Sequence, residues 1–511
     1  VTDICLAFEV HQPLRVDRTF TEEAARGKNP DELFDIYFNN TWNRAIFERV
    51  ANKCYRPTNE LLLENIDRFK HEKRRFKVSF SISGVLAKQC EKWGPDVLES
   101  FRQLAQSGCV EFLSQTFYHS LASLFPEKGE FIEQVKMQRK MVKDLFGKTP
   151  QIFENTEFIY NNSIAKTVAG LGFKGMFTEG AKKVLTWRSP NHVYKAKGSD
   201  IRVFMRNYRL ADDVAFRFSN HGWNEWPLTA DKYASWLSTA PGQCINLFMD
   251  YETIGEHQWP ETGIRDFFKW LPGEVFKYPH LHFVTPSELL KHAPVGEVDV
   301  YDFATISWAD AKRSTDAWLG NDMQRTAYNA LKNLEPHVKK TKNERIIEIW
   351  RLLQTSDNIY YMFTESGSSG MVHGYFSQQF PADAFWALMK VTSNFYEKVT
   401  DRLSGRDAIA ARLLRVVHPG KAFHFHEDGT YIHLSAHSLD ELKDVVKMAS
   451  DKSVLFHAAC KHFEKWVRFT IGDGKLADEI AKVEGSSTAD LKQELYNTIN
   501  KRLLELRDME V

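Results

Sequence analysis

Two periods alternate along the chain. Ile4–Glu9 is a short apolar run that ends at His11-Gln12-Pro13, and Phe76–Ile82 alternates with β-branched residues; both are strand patterns. Between them amphipathic helical spacing covers about 31–50 and 59–72. Further helical stretches near 84–92 and 95–107 lead to the run Val110-Glu111-Phe112-Leu113. The unit then recurs: a helix over 130–146 closes at Gly147, strand 151–154 follows, and a helix starts near 162. Strands at 173–178, 201–206 and 244–249, a helix over 263–271, strand 281–284 and a helix opening at Pro286 complete the series. Short strands separated by helices predict an α/β fold with a largely parallel sheet and helices outside. Roughly seven strands over about 290 residues fit a closed barrel better than an open nucleotide-binding sheet. No GxGxxG follows the first strand and no GxxxxGK[ST] occurs.

Beyond Asp299 the pattern changes to long helical stretches at 322–337, 342–364 and 380–404, with a loop at Ser366-Gly367-Ser368-Ser369-Gly370 that is flexible by composition. From Pro419-Gly420, strands at 421–426 and 430–434 flank Asp428-Gly429, a hairpin signal. Helices near 438–448, 459–468 and 474–483, and one from about 488, follow. The organisation expected is a barrel over 1–298, a helical domain over 299–415 packed at its mouth, and a small C-terminal α/β domain over 416–511. No run of 18 uncharged apolar residues exists, and the first residues enter a strand directly. The expectation is no membrane partner and a cytoplasmic protein.

Charge and composition narrow the ligand class. Lys plus Arg (67) equals Asp plus Glu (67), so no overall basic footprint points to nucleic acid. The six cysteines, Cys5, Cys54, Cys90, Cys109, Cys244 and Cys460, have neither paired nor finger spacing and read as reduced thiols. Thirteen Trp are either core or flat platforms for sugar rings.

Barrel enzymes carry their chemistry just past the carboxyl ends of the strands. His11, Glu111, Glu157, Asp250 and Glu252 fall there in this reading. Glycosidic hydrolysis needs two carboxyl groups from different parts of a fold, one to protonate the leaving oxygen and one to attack or to activate water. Glu157, in Phe153-Glu154-Asn155-Thr156-Glu157-Phe158, is one candidate, with Glu154 its local competitor and a helix-start carboxylate the plainer reading. Asp250-Tyr251-Glu252-Thr253-Ile254-Gly255-Glu256-His257-Gln258 is the densest polar cluster. If Asp250 ends its strand, period two points Glu252 the same way; a solvated loop is the alternative. His11 is either a sugar-contacting imidazole or a satisfied core histidine. His119, beside Phe117 and Tyr118, is a candidate subsite wall. His257 and Trp259 extend the polar cluster, Trp308 lies between barrel and helices, and Asp357 interrupts an apolar helix. Glu256-His257 lacks the second His of a zinc-protease motif, so no metal is expected, and no GxSxG elbow is present.

These motifs together resemble glycoside hydrolase family 57, in particular its archaeal-type α-amylase branch. Five ordered segments carry the likeness: His11-Gln12-Pro13; Glu111 with the stretch to His119; Asn155-Thr156-Glu157; Asp250-Tyr251-Glu252; and Gln354-Thr355-Ser356-Asp357. The resemblance implies an incomplete (β/α)7 barrel with a helical domain, action on α-1,4-glucans of the starch or glycogen type with retention, and no metal or other cofactor. It implies Glu157 as nucleophile, Asp250 as acid/base, and Glu252 and Asp357 as substrate-side residues; His11, Glu111, His119, His257, Trp259 and Trp308 join them as expected substrate contacts on the reading of the residues themselves. Family members also include 4-α-glucanotransferases and branching enzymes, which use the same two carboxylates. Residues 421–485 resemble a small appended domain of unknown function, through Ser435-Ala436-His437-Ser438-Leu439 and His462-Phe463-Glu464-Lys465-Trp466. A non-catalytic glycan-binding protein is the rival from another class, and a homo-oligomer is compatible with the chain.

Overall fold

The structure is a computed structural model that describes residues 1–365, 380–485 and 487–509. The loop expected at 366–370 lies outside them. The strands are β1 (Thr2–Val10), β2 (Val78–Ile82), β3 (Val110–Phe112), β4 (Ile152–Glu154), β5 (Gly175–Glu179), β6 (Val193–Ala196), β7 (Arg202–Arg206), β8 (Cys244–Asp250), β9 (Leu281–Phe283), β10 (Glu297–Val298), β11 (Phe423–Glu427) and β12 (Thr430–Ala436).

Parallel pairing runs β3-β2-β1-β8 on one side and β4-β5-β7 on the other. Two narrow seams join the halves into a ring. The Ser114/Phe153 bridge links the end of β3 to β4, and a single register pair, Arg206↔Asn246, links β7 to β8. The result is a barrel-like ring of seven parallel strands with weak points, an incomplete α/β barrel. Strands β6, antiparallel to β7, and β10 extend it outward, while β9 pairs with the start of β1.

Alternation along β1 sorts its side chains. Ile4, Leu6, Phe8 and Val10 pack against the surrounding helices, among them Asn40–Val50, Arg56–Arg68 and Ile264–Phe276. Cys5 and Ala7 face the ring interior with Ile152, Phe177, Phe204, Cys244 and Phe248. The same alternation makes Glu9 the next inward residue of β1 and Asp250 the next inward residue of β8, and the two are register partners. The last residues of β4, β5, β7 and β8 are Glu154, Glu179, Arg206 and Asp250. An apolar interior thus ends in a charged rim at the carboxyl ends of the strands.

Helices Asp322–Asn333, Glu344–Leu353 and Pro381–Thr400 pack around the fully buried Trp318 and Trp350, in one apolar cluster with the barrel loop residues Phe117–Phe125. The single helical stretch expected over 342–364 is broken. Helix Glu344–Leu353 stops, and Ser356–Tyr360 starts a new turn. At the break the Ser356 N–H donates to the His119 carbonyl (2.9 Å), and the Thr355 hydroxyl donates to that of Tyr118 (3.1 Å). Backbone groups released by the broken helix are therefore satisfied by a barrel loop.

The β11–β12 hairpin turns at Asp428-Gly429, both at positive φ, and packs with helices Leu439–Met448 and Thr488–Asp508 through Phe425, Leu442, Val446, Ile499 and Leu503. No helix among the described residues is long and apolar enough to cross a membrane.

Candidate active site

An open cleft of about 1100 Å³ lies over the charged rim. Of the ten residues singled out from sequence, His11, His119, Glu157, Asp250, Glu252, His257, Trp308 and Asp357 line it.

Glu157 sits in the tight turn Thr156–Phe158 with φ 58° and ψ 26°, left-handed values that cost a non-glycine residue strain. The turn follows β4 directly and aims the carboxylate into the cleft. The Trp308 indole N–H donates to its Oε2 (2.6 Å), and His119 Nε2 lies 3.3 Å from its Oε1. The Trp308 ring stacks on Phe158 (centroids 4.6 Å apart, planes 7° apart), with the Arg206 guanidinium 5.3 Å from its centroid. Its structural contacts are therefore those of a carboxylate-orienting donor.

Both nitrogens of His119 face acceptors: Nδ1 meets Gln115 Oε1 at 2.8 Å, and Nε2 meets Glu157. Gln115 presents that oxygen because its amide N–H groups donate to Glu9 Oε1 (2.7 Å) and Ser81 Oγ (2.9 Å). An imidazole with two acceptors is held as the cation. Burial works against that charge, but Glu157, Glu9 and Asp357 outweigh it and raise the pKa to about 9.

His11 stacks on His119 with centroids 4.1 Å apart. Burial and the His119 charge bring its pKa down to about 4, so it is neutral. Its Nε2–H then donates to Asp357 Oδ2 (3.1 Å), and its Nδ1 accepts from Ser83 Oγ (2.7 Å). Ser83 also caps helix Gly84–Trp93, which fixes this contact to the scaffold. Asp357 is half-buried, and desolvation disfavours its charge, yet His11, His119 and Arg15 hold it down at about 2.

Asp250 is the opposite case. Among the described residues no side chain hydrogen-bonds its carboxyl group. Burial and the Glu157 charge push its pKa up to about 7, with Arg206 and His119 opposing. Glu252 reaches the cleft through the turn Tyr251–Thr253 and not by strand alternation, since β8 ends at Asp250. Its Oε1 accepts from the Tyr55 hydroxyl, and burial raises its pKa strongly. His257 is kept neutral by burial, at about 4.

Two residues fall elsewhere. Glu111 lies on β3 level with Ala7 and Ser79, two positions short of Glu9 along the ring. Its carboxylate accepts from the Ser287 N–H (2.8 Å) and the Ser287 hydroxyl, and it borders a separate cavity with Lys77 and Glu288. Alternation carries on through Leu113 to Gln115, the residue of that stretch that meets the rim. Trp259 is 56% exposed outside the cleft, with Lys53 5.4 Å from its ring.

His11, His119 and Asp357 bring three potential metal-ligand atoms within 4.8 Å of one another. The ring nitrogens are already spent on hydrogen bonds, His11 to Ser83 and Asp357 and His119 to Gln115 and Glu157, and the two rings stack face to face where ligands would converge edge-on.

A family model described as glycosyl hydrolase family 57 matches residues 5–304. The chain belongs to glycosyl hydrolase family 57. It is a carbohydrate-active enzyme of that family. Over 411 residues it is 44% identical to a Methanocaldococcus jannaschii protein provisionally named an alpha-amylase, covering 78% of this chain and 85% of that one. Its fold is similar to the 4-alpha-glucanotransferase of Thermococcus litoralis, with TM-score 0.56 and 18% identity over 79% of this chain and 60% of that chain. It is also similar in fold to a branching enzyme of Thermococcus kodakaraensis, with TM-score 0.56 and 12% identity over 78% and 90% of the two chains.

Sequence reasoning passed over Glu9, Gln115, Glu179 and Arg206. Arg206, nearly fully buried, donates to the Phe248 carbonyl (2.6 Å), Glu179 Oε2 (3.1 Å) and Asp212 Oδ1 (2.6 Å). A charged residue closing an apolar strand singled out Asp250; the same signal marks Glu179 and Arg206. Gln115 carries no such signal.

Proposed function

We propose that this family 57 enzyme hydrolyses α-1,4-glucosidic bonds of starch- or glycogen-like glucans by double displacement, with Glu157 as nucleophile and Asp250 as acid/base. One contrast carries the reading. Two carboxyl groups face the same cleft in opposite surroundings: Glu157 accepts from Trp308 and from a histidinium, whereas Asp250, half-buried at the cleft floor, has no side-chain hydrogen bond among the described residues and is held up at about 7. Environments that separate two carboxyl groups in this way assign the base and the acid. The name of the M. jannaschii relative supports an α-glucan as substrate.

Asp250 gives its proton to the glycosidic oxygen as Glu157 attacks the anomeric carbon, so the leaving chain departs as a neutral alcohol. Asp250, now a carboxylate, takes a proton from water, which displaces Glu157 and releases the sugar with its original configuration. His11, Glu252 and Asp357 offer neutral and charged groups to sugar hydroxyls, and none of these steps draws on a cofactor.

Incubation with maltoheptaose tests this. The wild type is expected to generate new reducing ends, while Glu157→Gln and Asp250→Asn each lose at least about a thousand-fold in kcat. Redistribution of chain length without new reducing ends would identify a glucanotransferase. Binding with no turnover in the wild type, or undiminished turnover in Glu157→Gln, would overturn the assignment.

A further inference from the structure

A second aromatic feature lies on the chain that delivers Trp308 to the nucleophile. Tyr301 and Phe303 are 59% and 91% exposed, and their rings lie 5.5 Å apart and 5° from parallel. They stack on one another, so the pair projects as a unit and turns its outer ring faces to solvent, where exposed aromatic area ordinarily marks a binding surface.

The segment that presents them is anchored at both ends. The Val300 N–H donates to Asn162 Oδ1 (3.0 Å) and its carbonyl accepts from the Asn162 N–H (2.8 Å). On the other side Ile306 and Tyr160 exchange backbone hydrogen bonds of 2.9 and 3.1 Å. Val300 and Ile306 are buried, so both ends of the turn are fixed to the scaffold and its rings stand at the surface. Two residues past Ile306, Trp308 reaches Glu157. The exposed rings and the catalytic cleft are thus served by one short stretch of chain.

The rings border an open groove of about 1360 Å³ whose other walls include Lys183, Asp299, Thr305, Asp316 and Lys332. Flat apolar rings among hydroxyl, carboxylate and ammonium groups of both signs match a neutral polyol with an apolar C–H face. A partner helix would instead need a continuous apolar stripe.

We propose that Tyr301 and Phe303 form a second, non-catalytic α-glucan platform that holds polymeric substrate beside the cleft. This rests on the α-glucan reading above. The experiment compares the full-length wild type with the Tyr301→Ala/Phe303→Ala double variant on amylopectin and on maltopentaose. A parallel arm measures mobility in amylopectin-containing native gels in the Glu157→Gln background. Expected results are a rise in KM for amylopectin of about 5- to 10-fold with kcat unchanged, maltopentaose kinetics within about twofold, and loss of gel retardation. Equal effects on both substrates, retardation that survives the substitutions, or a wild-type dimer broken by them with no change in glucan retardation would overturn the platform. If the wild type turns over neither glucan, the catalytic reading fails, while retardation still reads the platform. Absence of both turnover and retardation removes both.

Discussion

His119→Asn isolates the electrostatic core of the proposed mechanism. His119 has φ 48°, a value that Asn tolerates better than most residues, so the backbone survives the change. The cation does not. Lost with it are the contact to Glu157 Oε1 at 3.3 Å, the bond to Gln115 Oε1 at 2.8 Å, and a positive charge 3.7 Å from Glu9. A hydrogen bond to a charged group is worth about 1.5–3 kcal/mol, so kcat/KM on maltoheptaose should fall by about 10- to 150-fold. The pH profile gives an independent sign. His119 lowers the pKa of Asp250, because a nearby cation favours the carboxylate. Removing it leaves Asp250 protonated to higher pH, so the basic limb should move to the alkaline side. Stability should respond as well. The folded-state pKa of His119, about 9, lies above its unfolded value, so its contribution is complete below pH of about 6.5 and is lost as pH rises through about 9. The stability deficit of the variant should therefore be larger at pH 6 than at pH 9.5. Initial rates of reducing-end formation from pH 4 to 9, with denaturant melts at the two pH values, make the measurement. Activity within twofold of wild type, or a basic limb displaced toward acid, would refute the reasoning.

Other outcomes follow from the same geometry. In the wild type, kcat/KM should decline as pH rises through about 7, where Asp250 loses the proton it donates; a profile level to pH 9 would remove it as the acid. Glu111→Ala should leave turnover within about twofold while lowering stability by about 0.5–2 kcal/mol, since its carboxylate caps the turn at Ser287 outside the cleft. A large fall in kcat with no shift in Tm would return Glu111 to the site. Gly255→Ala should cost about 2 kcal/mol or more and lower kcat/KM. Gly255 has φ 106°, and an added Cβ would meet the Lys53 carbonyl oxygen at 2.1 Å, displacing the loop that carries Glu252 and His257. An unchanged Tm would show that the loop yields without loss.

Much of the scaffold was legible because its causes are local. Period two along Thr2–Val10 and Cys244–Asp250 follows from strand geometry alone, whereas the β1–β8 register is what brings Glu9 and Asp250 side by side on the inward face. The helices and the Asp428-Gly429 hairpin are likewise marked by spacing and turn residues. Strand Val193–Ala196 was not expected, because it joins β7 through a tight turn with no intervening helix and breaks the repeat. The break between Leu353 and Ser356 was invisible too, since the spacing of apolar residues continues across it. What takes up the Ser356 N–H there is a carbonyl on the distant His119.

The sequence by itself determined which residue types stand where strands end, and hence that acids and histidines cluster at one rim of the barrel. Tertiary structure decided what each of them is. The Glu157 carboxylate is oriented by an indole 151 residues away, His119 is a cation because the carboxylates of Glu157, Glu9 and Asp357 outweigh its burial, and Asp250 keeps its proton up to about 7 because desolvation and the Glu157 charge outweigh Arg206 and His119. Glu111 and Trp259 left the site for the same reason: register and loop path aim side chains, and both depend on pairings that arise only when remote segments meet. Protonation depends on the distances, burial and hydrogen bonds that surround a group, quantities that come into being only in the folded chain.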